Sequence, residues 1–300
     1  YQNCSFYMKR DDMTGFELSG NKVRKLEYLL RAAQDENASM VYTCGGEQSN
    51  HARATAAAAA ATGLRSKLFL WGDGTPPIEG NLFIDKFLNA EIQYLNAEEY
   101  NDVNNIMKAS AFSAQQNGAR IYTIPEGGSS ALGIWGYIGF YEELNQQIQL
   151  NKLKGILTAC GSGGTSAGLL LGASLHNLNI KIFAVNVLYK AEEIKERIIS
   201  LAHKCIEKFE IPCKLDESKL EIVDGYSDEG YKNIETSKLH EIKSFALSTG
   251  IILDPAYTGK AFCAYKDYFL KNSTESSILF IHTGGFFGIF DKKDQYLIQS

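Results

Sequence analysis

The chain reads as an α/β protein in which mostly parallel sheet is covered by helices on both faces. Two observations predict this. Short apolar runs rich in β-branched and aromatic residues recur along the chain, and longer helical segments separate several of them. Three of these runs also end in glycine pairs and lead onward into a helix or the last segment of the chain.

In chain order, the first element is a helix opening inside SGNKVRKLEYLL, Ser19 to Leu30. It is unusual in its charges. A helix amino end favours acidic residues, yet this one begins with Lys22, Arg24 and Lys25. At about 100° per residue, Lys22 falls within the apolar stripe of Leu26, Leu29 and Ala33, with Arg24 and Arg31 opposite. Strands are predicted at 40–44, 67–71, 91–95, 120–124, 155–160, 181–187 and 277–282, and helices at 49–62, 130–149 and 165–176. The charge-rich stretch 189–210 reads as a solvated helix.

Composition narrows the function. Three hundred residues, 45% hydrophobic, 22% charged and with net charge −5, describe a globular protein that advertises no basic surface for nucleic acid. No run approaches the roughly 18–20 apolar residues of a membrane span. Six cysteines without CxxC spacing suit a reducing compartment, the cytoplasm, and histidines 176, 203 and 240 offer no metal spacing. His282 reads as buried and hydrogen-bonded.

Three glycine turns carry the chemistry. In YTCGGEQSNHARATAAAA the backbone turns at Gly45–Gly46, and Ser49 or Asn50 caps a long alanine helix whose first amides suit a carboxylate. In GILTACGSGGTSAGLLLG, Gly161-Ser162-Gly163-Gly164-Thr165 can wrap backbone amides around a phosphate, although it is neither a Walker A motif nor a clean GxGxxG. LFIHTGGFFG repeats the pattern. A phosphate cradle together with a misplaced lysine is satisfied by pyridoxal 5'-phosphate (PLP). A desolvated lysine near other cations has a lowered pKa and can form a Schiff base with its aldehyde. Lys25, on the same side, would meet the phosphate.

The motifs KRDDMTGFELSGNKVRKLEYLL, GGEQSNHARATAAAAA, PEGGSSALGIWGY, GSGGTSAGL, DPAYTGKA and LFIHTGG, in this order over residues 9–285, resemble the D-cysteine desulfhydrase and 1-aminocyclopropane-1-carboxylate (ACC) deaminase family. The resemblance implies PLP fold type II: two open, twisted, mostly parallel sheets with helices on both faces and the cofactor in an interdomain cleft. It implies a large domain of residues 1–37 and 131–300, a small domain of residues 38–130, and a homodimer. It also implies that Lys22 carries PLP, that Lys25 and Gly161, Ser162, Gly163, Gly164 and Thr165 hold the phosphate, and that Asn50 bonds the phenolic oxygen. Gln48, Ser49 and His51 would lie at the substrate of a small amino acid, with Tyr257 over the site and Tyr231 as a second tyrosine. Lys22, Ser49 and Tyr257 would act in catalysis.

Two positions separate the activities that the resemblance offers. ACC deaminases typically read QSNQ and YEGK, with a carboxylate near the ring nitrogen, whereas this chain reads Gln48-Ser49-Asn50-His51 and Tyr257-Thr258-Gly259-Lys260, as D-cysteine desulfhydrases do. Thr258 at the ring nitrogen makes the weaker electron sink, which favours expelling a thiolate over opening an unactivated cyclopropane. The expectation is therefore elimination from D-cysteine to pyruvate, ammonia and sulfide. ACC deamination to 2-oxobutyrate and a catalytically impaired PLP-binding homologue are the alternatives. Three departures from the family pattern bear on substrate: Glu47 before the QSN motif, Ser130 in place of Asn, and Phe286–Phe287 near the pocket mouth.

Overall fold

The computed structural model describes residues 6–14, 20–75, 77–230, 233–270 and 277–297. Its strands are β1 (Tyr7–Arg10), β2 (Met40–Gly46), β3 (Arg65–Trp71), β4 (Glu91–Leu95), β5 (Ile121–Thr123), β6 (Gly155–Cys160), β7 (Lys181–Asn186), β8 (Leu220–Val223) and β9 (Ile278–His282). The helices are α1 (Asn21–Asp35), α2 (Asn50–Ala61), α3 (Gly80–Phe87), α4 (Ala97–Asn101), α5 (Val103–Gln116), α6 (Trp135–Ile138), α7 (Phe140–Gln147), α8 (Gly164–Leu175), α9 (Ala191–Lys208), α10 (Thr236–Thr249), α11 (Thr258–Tyr265) and α12 (Lys293–Leu297).

The strands form two sheets, β1-β9-β6-β7-β8 and β4-β3-β2-β5, and every described strand pairing is parallel. Parallel strands need helical crossovers, which bury both faces of the sheet. The alternation of side chains in the five-stranded sheet shows this directly. Ile156, Ile182, Ala184, Leu279 and Ile281 point into a core shared with α8 and α9, while Leu157, Phe183, Val185, Ile278 and Phe280 point into a second core with α11. On the smaller sheet, Val41 joins α1 and α2 while Met40, Tyr42 and Cys44 face α5.

Two strands escape the sequence pattern, β1 and β8. Both have four residues, and each is a sheet edge with one neighbour, so neither carries a long apolar run. The segment predicted as one helix over 130–149 is two, α6 and α7, meeting at Gly139. They lie against α8 where it presents Gly168 and Gly172. A Cβ at Gly168 would stand 2.5 Å from the Ile134 carbonyl oxygen, and one at Gly172 would stand 2.6 Å from the Tyr141 ring. The fully buried α8 is thereby pressed against two neighbours, and its amino end is fixed at the mouth of β6.

The charges of α1 find separate partners. Arg24 pairs through both guanidinium edges with Asp11, at 2.8 and 2.9 Å, and with Glu143, at 2.7 Å, while the Tyr137 hydroxyl donates to Asp11 at 2.5 Å. Asp11 is fully buried, so removing one partner of that pair costs about 3–5 kcal/mol, while the half-exposed Glu143 adds a weaker tie from α1 to α7. Leu26, Leu29 and Ala33 pack toward α2, as the apolar stripe requires.

Candidate active site

The carboxyl ends of both sheets open onto one cavity of about 490 Å³. Open α/β sheets bind ligands at such places, because loops and helix amino ends converge there. Lys22, Lys25, Ser49, Asn50, His51, the segment 161–166 and Tyr257 all line it.

The amino end of α8 is one wall. Gly163 adopts φ +87°, a left-handed conformation that suits glycine, and turns the chain into α8 without a side-chain cap of its own. The cap is borrowed: the Gly164 amide donates to Ser129 Oγ at 3.1 Å, and Ser129 shares a 2.8 Å hydrogen bond with Ser162. The amides of Thr165 and Ser166 have no partner among the described residues, and neither does the buried Ser166 hydroxyl. Asn21 Nδ2 donates to Thr165 Oγ1 at 3.0 Å, pinning α1 to this turn.

Lys25 reaches the same place. It is 1% exposed, its Nζ donates to the Gly127 carbonyl at 3.1 Å, and a Cβ on Gly164 would lie 2.8 Å from that nitrogen. Burial first, and the Lys22 charge second, push its pKa well below the ordinary lysine value. Lys22 donates to Asn21 Oδ1 at 3.2 Å. Burial lowers its pKa to about 8, opposed mainly by the Glu126 carboxylate.

The amino end of α2 is the opposite wall. Ser49 Oγ accepts from the amides of His51 and Ala52, both at 3.2 Å, which leaves its own O–H as a donor. Asn50 Oδ1 accepts from Asn81 at 2.9 Å, which orients the Asn50 amide and leaves its NH₂ as donor. His51 is 3% exposed. Thr43 gives its one hydroxyl proton to the Ile124 carbonyl at 2.9 Å, so the 2.8 Å contact with His51 Nε2 assigns the proton to that nitrogen. Nδ1 is then a buried acceptor without a partner. Burial, then Lys22 and Lys25, hold the imidazole well below its usual pKa and therefore neutral.

Several expectations meet a different geometry. Gln48, expected at the substrate, turns away: its Nε2 donates to the Glu79 carbonyl at 3.0 Å and its Oε1 accepts from the Asn81 amide at 2.9 Å, closing the start of α3. Thr258 is fully buried and off the cavity wall. Its hydroxyl donates to Asp254 at 2.7 Å and accepts from the Asp254 amide at 2.8 Å. Glu47 is 6% exposed and accepts from the Gly74 amide at 3.2 Å, so it braces the 72–74 loop outside the cavity. Ser130 accepts from the Gly133 amide at 3.0 Å, a local turn contact. Phe286 and Phe287 form an aromatic cluster with Phe290 and are not on the cavity wall. Tyr231 lies outside the described residues. His282 is hydrogen-bonded to the Ile252 carbonyl at 3.1 Å, and its pKa is lowered by burial.

Among the wall residues that sequence reasoning missed are Tyr100, Glu126 and Tyr189. The signal for Glu126 was present, as an acidic residue directly before the Gly127–Gly128 turn; the tyrosines have no local motif. Among the described residues, no group of three or more His, Cys, Asp or Glu could hold a metal. No helix there is long and apolar enough to cross a membrane.

A phosphorylated aldehyde fits these residues. The unpartnered amides of α8 and the buried Lys25 ammonium lack an anion, and Lys22 offers an amine of lowered pKa beside them. Comparison with known proteins agrees. Residues 2–284 match the family described as pyridoxal-phosphate dependent enzyme. A putative 1-aminocyclopropane-1-carboxylate deaminase of Thermotoga maritima is 41% identical over 95% of this chain and 90% of its own length. A bifunctional D-cysteine desulfhydrase/1-aminocyclopropane-1-carboxylate deaminase of Arabidopsis thaliana, mitochondrial, is 37% identical over 96% of this chain and 74% of its own. The crystal structure of an ACC deaminase homologue superposes with a TM-score of 0.91 at 36% identity, covering 99% of this chain and 89% of that one. The chain therefore belongs to the pyridoxal-phosphate dependent enzymes, among the ACC deaminases and D-cysteine desulfhydrases.

Proposed function

We propose that the chain catalyses α,β-elimination of D-cysteine, with water, to pyruvate, ammonia and hydrogen sulfide. The observation that carries this choice is that neither Thr258 nor its partner Asp254 lines the cavity, so this segment offers no carboxylate to a bound ring. The nearest acid, Asp254, already accepts from the amides of Ala256, Tyr257 and Thr258 and from the Thr258 hydroxyl, all within 3.0 Å. Such a site suits departure of a thiolate better than the cleavage of an unactivated ring.

When bound, PLP supplies the aldehyde that captures the amino group and the ring that accepts the electrons of the breaking Cα–H bond. Lys22 is the residue proposed to carry it, and its released Nζ takes the α-proton. In the apoprotein, with its pKa near 8, about a tenth of this amine is neutral at pH 7, far more than for an ordinary lysine. Lys25 and the segment 161–165 balance the phosphate charge, and Asn50, oriented by Asn81, presents its NH₂ to the phenolic oxygen. The Ser49 hydroxyl, its lone pairs engaged by α2, donates to the substrate carboxylate. Neutral His51 adds no charge beside the substrate carboxylate. Tyr257, packed across Gly161, polarises or protonates the leaving group. In the same reading, residues 38–130 form a small domain that can move against the rest, and the holoenzyme is a homodimer.

The second reading is ACC deamination, favoured by the bifunctional relative. Keto-acid release from D-cysteine and from ACC separates the two. Pyruvate with equimolar sulfide from D-cysteine supports the proposal, and 2-oxobutyrate from ACC alone overturns it.

A further inference from the structure

One carboxylate on the cavity wall touches neither cofactor nor substrate in the chemistry above and acts there only through the charge it presents to Lys22. Glu126 follows β5, and each of its oxygens accepts one phenol: Tyr100 of α4 donates to Oε1 at 3.0 Å, and Tyr189, just after β7, donates to Oε2 at 3.1 Å. The two tyrosines come from the elements of different sheets, so the carboxylate is gripped across the cleft. Each phenol has a single proton, and both are given to Glu126, whose oxygens are therefore acceptors. Burial, and then Glu126 itself, raise the pKa of both tyrosines and keep them protonated. Behind Tyr189, the Arg197 guanidinium stacks on the ring at 4.1 Å and is paired with Glu193 at 3.0 Å.

We infer that Glu126, held by Tyr100 and Tyr189, is a charge filter that excludes amino acids with an anionic side chain from the cleft. This rests on the proposed binding of an amino acid beside Lys22. With the substrate carboxylate at α2 and the phosphate at α8, Tyr100, Glu126, Leu188 and Tyr189 form one of the walls left for the side chain, beside Trp71, Asn104 and Thr283. An uncharged or thiol side chain meets there a phenol, an apolar side chain and an acceptor. A second carboxylate meets a fixed negative charge, and the guanidinium on that wall is already matched by Glu193. Selectivity built by such repulsion needs no new attractive contact. Tyr100 and Tyr189 are positioning residues, because they act by keeping Glu126 in place.

The test uses the holoenzyme and needs no turnover. Aspartate and asparagine, nearly identical in shape, are titrated in both enantiomers while the visible absorbance of the bound cofactor reports binding. In the wild type, asparagine should bind at least tenfold more tightly than aspartate. Glu126→Gln should narrow that ratio by about tenfold, and Tyr189→Phe by less, since the carboxylate remains but loses one tether. Equal affinity for the two in the wild type, or an unchanged ratio in Glu126→Gln, overturns the inference; the wild-type ratio stands even if a variant fails to fold. Failure to turn over either D-cysteine or ACC would overturn the proposed function and leave this ratio readable.

Discussion

Two of the helices whose amino ends meet the cleft, α2 and α8, satisfy their first amides in opposite ways. α2 is capped from within, by Ser49, and keeps one hydroxyl proton to spare. α8 has no side chain of its own for that purpose. It borrows Ser129, leaves two amides without a partner, and has a buried ammonium brought to it by α1. An uncapped pole beside an unmatched buried cation is costly unless an anion stays in place, whereas a capped pole is stable alone and can exchange its ligand. The difference suggests a resident phosphate at α8 and a passing carboxylate at α2.

The sharpest break in this picture is Lys22, which stands between the two poles. Lys22→Ala should abolish the yellow absorbance that survives dialysis of the wild type and lower turnover on the order of a thousandfold or more. An absorbance band that persists unchanged through dialysis would place the cofactor on another side chain.

Lys25→Met tests the α8 pole alone. Cofactor affinity, read by absorbance titration of the apoprotein, should fall about 30–150-fold, the scale of one lost charge-assisted contact of roughly 2–3 kcal/mol. The thermal midpoint of the apoprotein should be unchanged or higher, because a buried ammonium with only a carbonyl acceptor is replaced by an apolar chain of similar length. Opposite signs in the two measurements would set a ligand-binding role apart from a packing role. A fall in both would make Lys25 a structural lysine.

The pKa of Lys22 gives the third expectation. Folding lowers it from its ordinary value to about 8, so the folded apoprotein holds this proton less tightly than the unfolded chain does. The neutral amine is scarce at pH 7 and dominant at pH 9, so the rate of cofactor uptake should rise about tenfold over that interval and then level off. The same linkage makes the apoprotein gain stability from this group as pH rises from about 8 toward the unfolded value. A flat uptake rate across that range would mean that burial does not depress this lysine.

What was legible in the sequence follows the same divide. The glycine turns, Ser49 and the two lysines are written locally, in spacing and in charge misplaced against a dipole, and the structure brings them to one cavity. Contacts made across the chain are not local. Gln48 sits in the same motif as Ser49, but its amide is taken by the start of α3, which only the fold brings near. Thr258 turns inward because Asp254, four residues earlier, offers both a carboxylate and an amide to its hydroxyl. Glu126 is intelligible only once tyrosines 26 and 63 positions away in sequence have converged on it. Strands β1 and β8 were silent because YMKR and LEIV are four residues long and too short and mixed to make an apolar run.

The smallest expected effect is at the α2 pole, and it completes the contrast with Lys25. Ser49→Ala removes the acceptor of two amides, which should lower stability by about 1 kcal/mol, a typical loss for an amino-terminal cap. For a chain of this size that is a drop of roughly 2 °C in thermal midpoint. Loss of the spare hydroxyl donor should raise KM by about tenfold, the worth of one hydrogen bond to a charged group at the lower end of its range. Cofactor affinity should not change, because the α8 pole and Lys25 are untouched. Lys25→Met and Ser49→Ala would then separate the two ligands: the first weakens the cofactor and spares apoprotein stability, the second weakens substrate and stability and spares the cofactor. If Ser49→Ala instead released the cofactor, the two poles would share one ligand, and the division of labour between α2 and α8 would have to be redrawn.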